Sequence, residues 1–254
     1  MVRGLDKFRE HFAGFEDHYA LIGGVACSIA LEQAGLEFRV TKDIDIVICI
    51  EALNKEFGDA FWDFIQSGKY NNLQKSTGKH LFYRFYKPED KSYPFMLELF
   101  ARDPGILPLR EGSHLTPIPI DDEVSSLSAI IMDDEYYKFI QKNKIVLDGI
   151  SIIKEEHLIP LKARVWLDLT HRKNEGEKID RNDIKKHKND VFRLYQLLTP
   201  DSKIHLPSSI AEELKQFIDR VRSDSSINLK QLGLINTTPN EVFDNLETIY
   251  NLIL

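Results

Sequence analysis

Up to about residue 154 the apolar positions fall into short alternating or β-branched runs, and beyond it they recur every three to four residues. That change of period predicts an α/β part followed by helices. Residues 5–17 alternate charge with Phe8, Phe12 and Phe15 at helical spacing, an amphipathic helix whose aromatic stripe faces the core. His18 to Ile22 reads as a short strand ending at Gly23-Gly24. A helix over 25–34 follows, with Val25, Ala26, Ile29, Ala30 and Ala34 as its small apolar face and Gly35 as its stop. Leu36 to Lys42 is a loop that delivers Asp-Ile-Asp into a run of strand formers, Ile44, Ile46, Val47, Ile48 and Ile50.

After it the pattern predicts a helix over 52–66 with Leu53, Phe57, Phe61, Phe64 and Ile65 inward, then strands Leu81 to Tyr86 and Phe95 to Ala101. Lys87-Pro88-Glu89-Asp90 supplies the turn between those strands. Residues 103–123 carry Pro104, Pro108, Pro117 and Pro119 and suit a loop or sheet edge. Val124 to Gln141 is helical in part, and Lys144 to Ile153 reads as a hairpin around Asp148-Gly149, a dipeptide suited to a type I′ turn. Helices follow over 155–172, 180–198, 207–222 and 239–253, with Pro200 and Pro207 between them. The expected architecture is an α/β (α+β) domain over 1–154, with a mixed sheet flanked by helices, and a C-terminal helical bundle over 155–254.

Candidate chemistry concentrates between Ala20 and Ile50. Side chains on a strand alternate between faces, so Asp43 and Asp45 point the same way, with Cα atoms about 6 to 7 Å apart. Two such carboxylates repel unless a cation lies between them or one is protonated. Mg²⁺ (or Mn²⁺) suits the place, because it is satisfied by one or two carboxylates together with waters and phosphates. Gly23-Gly24 opens a helix, where bare backbone N–H groups and the positive end of the dipole suit a phosphate. An anion-binding turn about twenty residues ahead of a metal-binding acid pair is the layout for holding a nucleoside triphosphate with its metal.

The diglycine and DID layout, with Thr41 just ahead of Asp43, resembles the nucleotidyltransferase superfamily related to DNA polymerase β. Within it, IGGVA and TKDID look most like the minimal nucleotidyltransferases of type IV toxin–antitoxin systems, the abortive-infection toxin family. The resemblance implies a third carboxylate on a later strand, and Glu98 in PFMLELFA matches by context. Glu98 shares a face with Met96 and Phe100, and the pattern leaves open which face that is. Asp43, Asp45 and Glu98 are thereby expected as catalytic and metal-holding residues. Gly23 and Gly24 would cradle phosphates, with Ser28 and Thr41 adding hydroxyl contacts.

In the later helices, LIPLKARV matches the family's L-x-x-x-K-x-x-A run, which implies that Lys162 contacts the nucleotide's phosphates. A lysine beside an apolar stripe otherwise snorkels to water. The family's K-D-x-x-D run aligns with Lys186, His187 and Asp190, so Lys186 and Asp190 are expected beside the nucleotide, while His187 stands where the family has an acid. The alternative for this helix is a solvated charged face held by pairs such as Asp183 with His187.

The formal charge of −7 argues against a protein that coats nucleic acid. It is unevenly spread: between Leu161 and Arg193 ten Lys and Arg stand against six Asp and Glu, a basic band suited to one polyanionic ligand. Composition, 43% hydrophobic and 29% charged, is that of a globular protein with no sign of disorder. The charged start MVRGLDKFREHF has no apolar h-region and no run of eighteen apolar residues exists, so the expectation is a cytoplasmic chain with no membrane partner. Cys27 and Cys49, the only cysteines, read as small buried hydrophobes. His11, His18 and His80 have no metal-ligand spacing and read as surface or boundary residues, while His171 closes a helix. No P-loop, G-x-S-x-G elbow or HExxH pair is present.

These readings lead to a metal-dependent nucleotidyltransferase, moving NMP from an NTP to an acceptor hydroxyl or phosphate, on tRNA as in the toxins. The alternatives are a small-molecule acceptor, as in antibiotic nucleotidyltransferases, and a non-catalytic nucleotide-binding or partner-binding module such as one acting with a cognate antitoxin.

Overall fold

The structure is a computed structural model describing residues 2–49, 52, 54–76, 82–100, 115–118, 127, 130, 131 and 133–252; of residues 71–76, 82 and 115–118 it describes the backbone. The chain divides into two compact units, Met1–Glu32 with Glu37–Lys154, and Gln33–Leu36 with Glu155–Leu254. Each is described by itself.

The first unit is mixed α/β. Its strands are β1 Tyr19–Ile22, β2 Asp43–Ile48, β3 Tyr70–Ser76, β4 Phe82–Pro88, β5 Met96–Phe100, β6 Leu115–Ile118, β7 Lys144–Leu147 and β8 Ile150–Ile153. They form one sheet in the order β6-β3-β4-β5-β2-β1-β8-β7. Parallel pairings (β1 with β8, β2 with β5, β3 with β6) mix with antiparallel ones (β1 with β2, β3 with β4, β4 with β5, β7 with β8). The Asp-Ile-Asp strand β2 is thus interior, flanked by β1 and β5. Its residues Ile44 to Ile48 are all buried, as the near-continuous β-branched run requires of a strand covered on both faces.

Helix α1, Leu5–His11, is shorter than the expected 5–17. Gly14 at φ +88 interrupts the course, and the chain re-enters the sheet through a 3₁₀ turn at Glu16–His18. The aromatic stripe is core as read: Phe8 and Phe12 are 1% exposed. They interlock with Tyr19, Phe64 and Phe57, with the Phe12 and Phe64 rings 5.3 Å apart. Helix α2 is Gly23–Gln33, starting two residues before the expected 25–34. Helix α3, Lys55–Ser67, buries Phe57, Phe61, Phe64 and Ile65 and is capped by Asn54, whose side chain accepts from the Phe57 N–H at 2.8 Å. Leu53 lies outside the described residues.

Strand β3, YNNLQKS, has no apolar alternation to announce it and is held by ladders on both sides. The Lys87-Pro88 pair lies in β4 rather than in a turn; the turn follows, with the Asp90 carboxylate accepting from the Ser92 N–H at 2.8 Å. In the proline-rich stretch, Leu115–Ile118 is an edge strand containing Pro117, where a missing N–H costs least. Asp148 at φ +49 and Gly149 at φ +72 make the I′ turn of the β7–β8 hairpin. Cys27 and Cys49 are free and buried. His18 is half-buried and stacks on Phe57, and His11 bonds the Ala60 carbonyl at 2.7 Å; His80 lies outside the described residues.

The second unit is helical: Glu155–Asn174, Arg181–Tyr195, Ser208–Val221 and Pro239–Ile249. The first of these contains Pro160, which has no N–H to give the Glu156 carbonyl one turn back. The buried Tyr250 hydroxyl donates to that carbonyl instead. The last helix ends at Ile249, short of the expected 253, and begins with a capping box between Thr238 and Glu241.

Candidate active site

Register brings the acids of the first unit together. Asp45 in β2 lies opposite Glu98 in β5, and Glu98 lies opposite Arg84 in β4. Directly paired residues share a sheet face, so Arg84, Glu98 and Asp45 form one row across three strands, with Asp43 two residues along β2 on the same face. The face of Glu98, open in the sequence, is therefore that of the Asp pair. Asp45 and Glu98 are buried, 7% and 4% exposed, and Asp43 is half-buried.

On the other flank, Ile22 of β1 pairs with Asp45, and the chain passes at once into Gly23. Gly23 sits at φ +66, and a side chain there would start inside the Asp45 carboxylate. A side chain at Gly24 would start 2.6 Å from the Thr41 hydroxyl and 3.7 Å from the Arg39 guanidinium. The two glycines thus let the first turn of α2 close onto the acid row and the loop before it. Gly23, Gly24, Thr41 and Asp45 are brought together, as is Arg39, which has no apolar period or acidic neighbour to mark it in sequence.

Ser28 does not join them through its hydroxyl: it is buried and donates to the Glu32 carboxylate at 2.7 Å, one turn down its own helix. Arg84 is the other residue the sequence does not reveal. Its Nε donates to Glu98 Oε1 at 2.6 Å and its Nη2 pairs with the same oxygen, the two side chains being 14% and 5% exposed. LFYRFY shows an arginine in a strand and nothing of the strand it will face.

The donor set suits a hard divalent ion, since Asp43 and Asp45 place two carboxylates on one face of β2. Among the described residues no group of three or more His, Cys, Asp or Glu side chains is arranged to hold a metal. A fit therefore rests on the Asp pair, the remaining positions falling to water or substrate oxygen.

Lys162, Lys186 and Asp190 belong to the second unit. Lys162 does not snorkel: it is 3% exposed and its Nζ lies 3.2 Å from Asp190 Oδ2. Asp190, fully buried, also takes Arg193 at 3.3 Å. Lys186 pairs with Asp183 at 3.0 Å, in place of the Asp183 and His187 pair considered above, and His187 is buried rather than solvated. Of the ten cations in the basic band, Lys162, Arg164, Arg172, Lys186, Lys188 and Arg193 form ion pairs inside the unit.

No family model matches the chain, and neither does any curated protein. Among solved structures similar in course is the crystal structure of an antigenic nucleotidyltransferase-like protein from Paracoccidioides brasiliensis. It aligns with a TM-score of 0.47 and 13% identity over 98% of this chain and 99% of that one. A likeness that loose carries nothing about chemistry, so the site speaks through its own geometry. Among the described residues, no helix is long and apolar enough to cross a membrane.

Proposed function

We propose that the protein is a metal-dependent nucleotidyltransferase that moves a nucleoside monophosphate from an NTP to an acceptor and releases pyrophosphate. The observation that carries this reading is the contact between the Gly23 backbone and the Asp45 carboxylate, inside a row that already holds Glu98. It sets a helix N-terminus that suits phosphate beside acids that suit a cation.

In this reading Asp43 and Asp45 hold Mg²⁺ or Mn²⁺. A cation held there would supply charge neutralisation for the triphosphate. Gly23 and Gly24 direct backbone N–H groups at the phosphates, and Thr41 and Arg39 stand beside that turn to add a hydroxyl and a positive charge. The acceptor oxygen bonds to the α-phosphorus as the bond to the bridging oxygen breaks, and its proton passes to a carboxylate of the row or to solvent.

A small-molecule acceptor is the second reading. The pairing of six of the basic band's cations within their own unit favours it over tRNA, because a cation neutralised at home attracts a polyanion less. Incubation with each α-labelled NTP and Mg²⁺ in a cell extract separates the cases. Label in tRNA supports the toxin-like reading and label in a small metabolite the second. Label that persists at the wild-type rate in both Asp43→Asn and Asp45→Asn would remove the acid pair from the chemistry. A chain that binds NTP or an antitoxin without transferring label would be the non-catalytic module.

A further inference from the structure

Glu98 is expected, from the family resemblance, to complete a second metal site. The structure gives it a different partner. Arg84 Nε and Nη2 each contact Oε1 of Glu98, and both side chains are largely buried. The pair is fixed by register, because the two residues are direct partners between β4 and β5. A buried arginine–carboxylate pair resists separation, since each half alone would be a charge out of water. A divalent ion sharing Glu98 with the guanidinium would sit close to another positive charge beside a largely buried pair, where that repulsion is less screened than in water. Independently, no three acidic side chains among the described residues are arranged to hold a metal.

We propose that Arg84 stands in for a second cation. It neutralises Glu98 and holds it as the outer wall of a site in which the protein itself binds a single divalent ion, at Asp43 and Asp45. The inference rests on the metal-dependent reading above and narrows it. Arg84 is a positioning residue here, acting on the ion through Glu98 and the charge of the row.

The test counts Mn²⁺ on the full-length protein, without nucleotide, by electron paramagnetic resonance. One Mn²⁺ per chain is expected. Glu98→Gln, whose amide oxygen still accepts from Arg84, should keep that stoichiometry while weakening binding, because the guanidinium charge is no longer neutralised, and Asp45→Asn should weaken it about tenfold or more. Arg84→Gln should admit a second Mn²⁺ by releasing Glu98. The Arg84→Gln and Glu98→Gln double variant, with no charge left at either place, should return the count to one. Two Mn²⁺ on the unaltered protein, one of them lost in Glu98→Gln, would overturn the inference and leave the nucleotidyl-transfer reading standing. No Mn²⁺ on the unaltered protein would remove the metal from both.

Discussion

The α-carbon of Gly23 is packed against the carboxylate of Asp45, with the glycine at φ +66. Gly23→Ala therefore meets two obstacles, a backbone conformation that costs about 1 to 3 kcal/mol for an L side chain and a collision with the acid. Gly14, at φ +88 with nothing within 4 Å of where a methyl group would stand, meets only the first. Urea unfolding of Gly23→Ala and Gly14→Ala should show destabilisation in both. Nucleotide transfer should fall about hundredfold in Gly23→Ala alone, the scale of a small displacement of reacting groups. Equal activity in the two variants would mean that this contact does not shape the site.

Asp190 has no exposure and faces Lys162 and Arg193. Asp190→Ala should cost about 3 to 5 kcal/mol, because it leaves Lys162 buried without that partner. Replacing both ends, Lys162→Met with Asp190→Leu, should recover most of the loss. Urea unfolding measures the stability, and calorimetry with each NTP and Mg²⁺ measures affinity. A weakened affinity in a folded Lys162→Met, Asp190→Leu protein would give the pair a nucleotide role beyond this structural one.

Tyr250 donates to the Glu156 carbonyl, the one that Pro160 cannot serve. Burial also holds its hydroxyl in the protonated, donating form well above its ordinary range. Tyr250→Phe should destabilise by about 1 to 3 kcal/mol, the cost of a buried acceptor left unpaired. Pro160→Ala restores an N–H to the helix, so the same tyrosine change should cost less in that background. A double-mutant cycle in thermal unfolding reads the difference, and strict additivity would show that proline and tyrosine are unrelated.

Asp224 gives a pH signature. Burial works to raise its carboxyl, but Lys188 and the Ser226 hydroxyl and N–H outweigh that and hold it down to about 2. A carboxyl depressed in the folded state contributes stability that is complete above its unfolded value near 4 and is lost as pH falls through the folded one. The stability gap between the unaltered protein and Asp224→Asn should thus be constant above about pH 5 and shrink between about pH 4 and pH 2. A gap that widens on acidification would reverse the assignment.

Much of the fold was legible in the chain. The Phe8 and Phe12 stripe, the Phe57 to Ile65 face, the Asp148-Gly149 hairpin and the helices after Glu155 each carry a local period or a turn dipeptide, and each forms within a few residues of its expected place. The errors have local causes. Phe15 prolongs the apolar spacing of α1, but Gly14 bends the backbone away before it. Strand β3 is polar in sequence and exists through its neighbours' hydrogen bonds. Ser28 and Lys162 have residue types that suit phosphate, and each instead serves a nearby carboxylate, Glu32 and Asp190.

By itself, the sequence determined that Asp43 and Asp45 share a strand face and that a bare turn precedes them, because alternation and glycine geometry act within a few residues. Only the tertiary structure decided that Glu98 stands beside Asp45, that Arg84 closes on Glu98, and that Gly23 touches the Asp45 carboxylate. Those relationships cross strands that are distant in the chain. Their register is set by the packing of the whole sheet, and a one-residue slip in any of the strands would turn the acid or the arginine to the opposite face.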